Sequence, residues 1–131
     1  MSSYVETSGP TTTVLLCDDE SVLRTLVRAT LESDDYSIVE ASDGEESLEI
    51  ARRLRPDVVI LDMMMPRLSG LEVLSEMRRD EDLSATRVIV LTAQPGAREE
   101  ALREGADLVM VKPFEPDEIT AAVEEVLAER A

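Results

Sequence analysis

The sequence predicts one α/β domain in which a parallel sheet is covered by helices on both faces. Five short apolar runs alternate with stretches of helical length, the pattern of strands joined by crossover helices. The central run, Val58-Val59-Ile60-Leu61, is apolar at every position and therefore belongs to a strand buried on both faces. At 131 residues the chain can bury one good core and is too short for two.

Met1 to Thr11 is Ser/Thr-rich, carries Gly9-Pro10, and reads as a loose leader, so the domain is expected over 12–131. The first apolar run spans Thr13 to Cys17. Leu23, Leu26, Val27 and Leu31 then recur at i, i+3, i+4 and i+8, which places one greasy stripe on a helix. The second run, Tyr36 to Ala41, is followed by Ser42 and Glu45 at capping-box spacing; Ser69 and Glu72 repeat that spacing after the third run, Val58 to Leu61. The fourth run is Arg87 to Leu91. Gly105 closes a helical stretch over Ala97 to Glu104, where a left-handed residue is expected. After the fifth run, Leu108 to Val111, Pro116 suits a first helical turn, and Ile119, Ala122, Val123, Val126 and Leu127 form the last stripe.

Composition narrows the function. Thirteen Lys and Arg against 29 Asp and Glu give a net charge of −16. Phosphate backbones and anionic lipid would be repelled, so direct binding to nucleic acid or membrane is disfavoured, and basic partners or cations are expected. No stretch has the roughly 20 apolar residues of a membrane span, and the start lacks a secretion signal, which makes a cytoplasmic location the expectation. Cys17 is the one cysteine and reads as an inert core thiol. The absence of histidine removes imidazole as base, metal ligand or phosphodonor.

Chemistry gathers at the strand ends. The first run stops at Asp18-Asp19-Glu20, the third at Asp62, the fourth at Thr92 and the fifth at Lys112. In a right-handed doubly wound sheet these carboxyl ends share one rim, with Asp62 pointing outward from it. Crowded carboxylates either rise in pKa or admit a cation, and one lysine compensates only in part. Oxygen ligands suit a hard ion such as Mg²⁺, which keeps room for phosphate oxygens. Lys112 and the Thr92 hydroxyl would meet further phosphoryl oxygens, leaving one carboxylate free to attack phosphorus. Asp18-Asp19 as a plain helix cap is the competing reading. Met63 and Met65 suit packing.

Leu15-Leu16-Cys17-Asp18-Asp19-Glu20, Ile60-Leu61-Asp62-Met63-Met64-Met65-Pro66-Arg67-Leu68-Ser69-Gly70, Val90-Leu91-Thr92-Ala93 and Val111-Lys112-Pro113-Phe114 resemble the signature segments of two-component response-regulator receiver domains, over about Thr12 to Ala128. The resemblance, closest to single-domain chemotaxis-type regulators, implies a flavodoxin-like five-stranded parallel sheet in order 2-1-3-4-5. It implies that Asp62 accepts a phosphoryl group from a histidine kinase or histidine phosphotransfer protein. Asp18, Asp19, Asp62 and the Met64 carbonyl would surround Mg²⁺, with Mn²⁺ as an alternative. Lys112 and Thr92 would contact the phosphoryl group, Lys112-Pro113 would be cis, and docking on a kinase, a phosphotransfer protein or a downstream effector would use the face of the fourth helix, fifth strand and fifth helix. A monomer or weak homodimer is expected. Val109 stands where the family usually has an aromatic, and Met64 and Gln94 occupy positions that tune attack of water on the acyl phosphate. A receiver excised from a longer regulator or hybrid kinase fits equally. The rival from another class is a Mg²⁺-dependent phosphatase or phosphotransferase with an aspartyl nucleophile.

Overall fold

The computed structural model describes residues 11–33 and 35–129. Residues 1–10 of the leader lie outside them. The order is β1 (Thr12–Cys17), α1 (Ser21–Leu31), β2 (Tyr36–Ala41), α2 (Gly44–Leu54), β3 (Val58–Asp62), α3 (Gly70–Arg79), β4 (Arg87–Thr92), α4 (Arg98–Arg103), β5 (Leu108–Val111) and α5 (Pro116–Ala128). All strand pairs are parallel and the sheet runs β2-β1-β3-β4-β5, the flavodoxin-like order that the family resemblance implied.

Strand pleating divides the core in two. Successive side chains leave opposite faces. Val14, Leu16, Val58, Ile60, Ile89 and Leu91 pack with Val27 and Leu31 of α1 and with Ile119, Val123 and Val126 of α5. Leu15, Cys17, Val59, Leu61, Val88 and Val90 pack against α2, α3 and α4 through residues such as Leu48, Leu74 and Ala101. Each large aliphatic side chain buried this way contributes about 1.5–3 kcal/mol. The thiol of Cys17 is in this core and burial pushes its pKa up to about 12, so it is unreactive at neutral pH.

Helix starts follow the capping signals with one shift. Ser69 and Glu72 form the expected reciprocal box on α3, and Pro116 opens α5. On α2 the cap is Asp43 rather than Ser42: its carboxylate accepts the Glu46 N–H at 2.8 Å, while Glu46 accepts the N–H of Ser42. The same spacing occurs twice, one residue apart, and the charged acceptor takes the positive end of the helix. The helix expected over Ala97–Glu104 is shorter, because Pro95–Ala97 forms a 3₁₀ turn before it; Gly105 follows with φ 113° as expected. On α1, Leu26 of the predicted stripe is 44% exposed. At the foot of the sheet Arg78 donates to the carbonyls of Gly105 and Thr86 and to Asp107, which fixes where β5 begins. No helix among the described residues is long and apolar enough to cross a membrane.

Candidate functional site

Register and pleat assemble the site. Cys17 pairs with Leu61, so Asp18 emerges beside Asp62; Asp62 pairs with Leu91, and Leu91 with Met110. Asp18 has the parity of Val14 and Leu16, Asp62 that of Val58 and Ile60, and Lys112 that of Leu108 and Met110. All three therefore turn to the α1/α5 side of the rim. The Lys112 N–H donates to the Thr92 carbonyl at 2.7 Å, and the Lys112–Pro113 peptide is cis.

The Lys112 Nζ lies 3.5 Å from Asp62 Oδ1, 3.6 Å from Asp18 Oδ2 and 3.8 Å from Glu20 Oε1. Asp18, Asp19 and Asp62 each offer an oxygen within 4.8 Å of the others. Asp18 is fully buried and Asp19 is exposed, so the hollow has a dry floor and one wet side. Asp62 is the last residue of β3 and only 4% exposed. It does not point outward from the rim as its position after the apolar run suggested. The pairing with β4 extends one residue further than the hydrophobicity, which leaves the carboxylate at the floor of the hollow.

Electrostatics are those of crowded acids. Burial pushes the Asp18 carboxyl up to about 6, opposed by the Glu20 N–H on its Oδ1 at 2.8 Å, and Asp62 pushes it further. Burial also raises Asp62, opposed chiefly by Lys112 and by the Met64 N–H at 3.3 Å. Among the described residues the buried Asp18 Oδ2 has no hydrogen-bond partner. A buried carboxylate oxygen that makes no hydrogen bond and has only the Lys112 ammonium 3.6 Å away, in a cluster of oxygen ligands, fits a hard divalent cation. The helix-cap reading fails for Asp18 and Asp19, since the residue at the cap of α1 is Glu20 and no side chain caps the helix.

Thr92 ends β4 buried, with its hydroxyl accepting the Gln94 N–H at 3.0 Å. It turns to its own loop rather than to the acids. The Met64 side chain is 71% exposed, and Met63 and Met65 are buried packing residues. Two residues the sequence reading passed over are Arg24, bonded to the Asp18 carbonyl, and Glu40, bonded to Arg24. Their signal was a carboxylate inside the apolar second run, together with arginines four apart on the preceding helix.

Residues 14–124 match the family pattern described as the response regulator receiver domain. The chain belongs to this family. The receiver is 38% identical over 116 residues to the alkaline phosphatase synthesis transcriptional regulatory protein PhoP of Bacillus subtilis, covering 87% of this chain and 48% of that protein. It spans about half the length of the curated relatives it matches. Chemotaxis response regulator CheY4 of Vibrio cholerae superposes with a TM-score of 0.84 at 32% identity, over 89% of this chain and 99% of that one. The receiver domain of sensor histidine kinase PA1611 from Pseudomonas aeruginosa, solved with a magnesium ion in its active-site cleft, gives 0.82 at 29% identity, over 91% and 99%. The receiver is thus a signalling switch of the two-component type, and the phosphatase alternative is not favoured.

The raised Asp18 sets an unusual pH dependence. Its folded pKa of about 6 exceeds the ordinary 3.8, so its contribution to stability is complete below the lower value and is lost as pH rises through the upper one. Without metal, the melting temperature of the receiver is expected to rise as pH falls from about 7.5 to about 5. Asp18→Asn is expected to stabilise the metal-free protein by about 1–3 kcal/mol at neutral pH and to flatten that rise. Thermal melts across pH check both; an Asn variant less stable than wild type at neutral pH contradicts them.

Proposed function

We propose that Asp62 is the phosphoacceptor of this receiver and that Asp18, Asp19, Asp62 and the Met64 carbonyl hold Mg²⁺, with Mn²⁺ as an alternative. The donor is a histidine kinase or histidine phosphotransfer protein, and a downstream effector reads the product. The observation that carries this reading is the Lys112 ammonium 3.5 Å from Asp62 Oδ1, beside a buried Asp18 oxygen that makes no hydrogen bond.

An Asp62 oxygen attacks phosphorus, the P–N bond to the donor imidazole breaks, and an acyl phosphate forms. Lys112 meets a phosphoryl oxygen and offsets charge as it arrives. Bound Mg²⁺ supplies further neutralisation of the phosphoryl oxygens. Thr92 can donate to the new group only by turning its hydroxyl away from the Gln94 carbonyl, 3.5 Å from it, which couples phosphorylation to the loop leading into α4. Separate substrates are not turned over: Met64, two residues past Asp62, has no proton for a leaving group.

Incubation with acetyl phosphate and Mg²⁺, followed by intact mass, tests the reading. One phosphate per chain, with no uptake when the metal is chelated beforehand, is the expected result. No uptake, or steady hydrolysis of a phosphate ester, overturns it.

Next to Lys112 an apolar hollow of about 240 Å³ is lined by Leu23, Leu26, Pro113 and Phe114, and Val22, also on α1, is 81% exposed. We assign it to the helix that carries the donor histidine. Leu26→Glu is expected to slow transfer from a protein donor about tenfold, the effect of removing one good interface contact, while uptake from acetyl phosphate stays at the wild-type rate. Equal slowing with both donors contradicts the assignment. The exposed thioether of Met64 cannot orient water by hydrogen bonding, whereas an amide can. Met64→Asn is therefore expected to shorten the phosphorylated lifetime, read as loss of the phosphate mass with time.

A further inference from the structure

The loop from β1 to α1 carries two of the three clustered acids, and mutual repulsion acts to spread it. Its backbone is fixed from both sides. The Asp18 N–H donates to the Ala41 carbonyl at 3.1 Å, and the Asp18 carbonyl accepts from Arg24 Nη1 at 2.7 Å. That guanidinium is itself held, with Nε on Glu40 Oε1 at 2.9 Å. The other oxygen of Glu40 accepts from Arg28 Nε, and Arg28 Nη2 donates to the Ile38 carbonyl at 2.9 Å. Both arginines project from α1 onto β2, so a chain of charged hydrogen bonds runs from the edge strand to the peptide between Asp18 and Asp19.

Resting on the Mg²⁺-dependent phosphoacceptor reading, we propose that Arg24, oriented by Glu40, is a positioning residue that holds the Asp18-Asp19 peptide in its metal-binding conformation. It touches neither metal nor phosphorus. Its planar fork reaches Glu40 and the Asp18 carbonyl with different nitrogens, which a single ammonium does not reproduce. Outer partners that orient metal ligands typically change metal affinity by about 10–100-fold when removed.

The sign of the effect separates positioning from charge. Removing a cation near the site by charge alone would tighten Mg²⁺ binding, whereas losing the clamp weakens it. Calorimetric titration of the unphosphorylated chain with Mg²⁺ alone is expected to give Arg24→Met a dissociation constant about tenfold above wild type. Arg24→Lys is expected to recover only part of the loss. The phosphorylation rate with acetyl phosphate is expected to reach nearly the wild-type limit at saturating Mg²⁺, with the half-saturating concentration raised. Arg52→Met, at a surface ion pair with Glu76, is expected to leave Mg²⁺ binding unchanged. Arg24→Lys keeps the charge and loses the fork, so it decides the matter if Arg24→Met does not fold. A folded Arg24→Met, or in its place Arg24→Lys, that binds Mg²⁺ as tightly as wild type or more tightly overturns the clamp. A wild-type chain that binds no Mg²⁺ overturns the phosphoacceptor reading instead.

Discussion

Asp62→Asn is expected to take up no phosphate from acetyl phosphate or from a histidine donor at any Mg²⁺ concentration, and to remain folded. The amide keeps the shape of the side chain and can still accept the Met64 N–H, but it has no carboxylate oxygen to attack phosphorus. In wild type the attack breaks the P–O bond of acetyl phosphate, acetate leaves, and the new acyl phosphate adds one phosphate to the intact mass. Treatment with hydroxylamine should remove that mass, because an acyl phosphate is an activated carboxyl whereas a phosphate ester on Ser or Thr is not. The substitution also takes one of three crowded carboxylates out of the hollow, so the metal-free variant should melt no lower than wild type. Uptake of a full equivalent by Asp62→Asn would move the acceptor to Asp18 or Asp19. Uptake by neither protein would end the phosphoacceptor reading.

The placement of Asp62 was largely legible in the chain. Alternation within the apolar runs already fixes which residues share a face, and Asp18, Asp62 and Lys112 follow the parity of one set. Hydrophobicity could not say how far pairing continues, because hydrogen bonds of the ladder do not require an apolar side chain. Asp62 is therefore the end of β3 and buried, where its polarity suggested an outward position. Thr92 was placed correctly at the end of β4, but its hydroxyl direction depends on a local bond to Gln94 that spacing does not encode. Arg24 and Glu40 were missed because they act through a backbone carbonyl, which no side-chain motif announces. Val109 replaces an aromatic and lies buried on the α2–α4 face of the sheet. Without that ring, the Thr92–Gln94 loop is the element of the site best placed to carry a change toward α4.

The second large effect is steric, at the seam between β3 and α3. Gly70 is the first residue of α3, and its N–H donates to the Met63 carbonyl at 3.0 Å. A Cβ at this position would stand 2.3 Å from the Asp62 carbonyl oxygen and 2.8 Å from the Met63 Cα. Both are backbone atoms, so no side chain can swing aside to make room. Either α3 backs away and loses the bond to Met63, or the Asp62 peptide tilts and takes its carboxylate with it. Overpacking against yielding side chains already costs about 1–3 kcal/mol, so Gly70→Ala is expected to cost about 3 kcal/mol or more and to slow phosphate uptake in the fraction that stays folded. Gly96 supplies the contrast: a Cβ there meets nothing within 4 Å, and Gly96→Ala should be neutral or stabilising by about 0.5 kcal/mol through the unfolded chain. Denaturant unfolding of the two variants side by side checks the difference. Equal stability would show that the seam between β3 and α3 yields, and that Asp62 is held by its own pairing with β4 and not by the close approach of the helix.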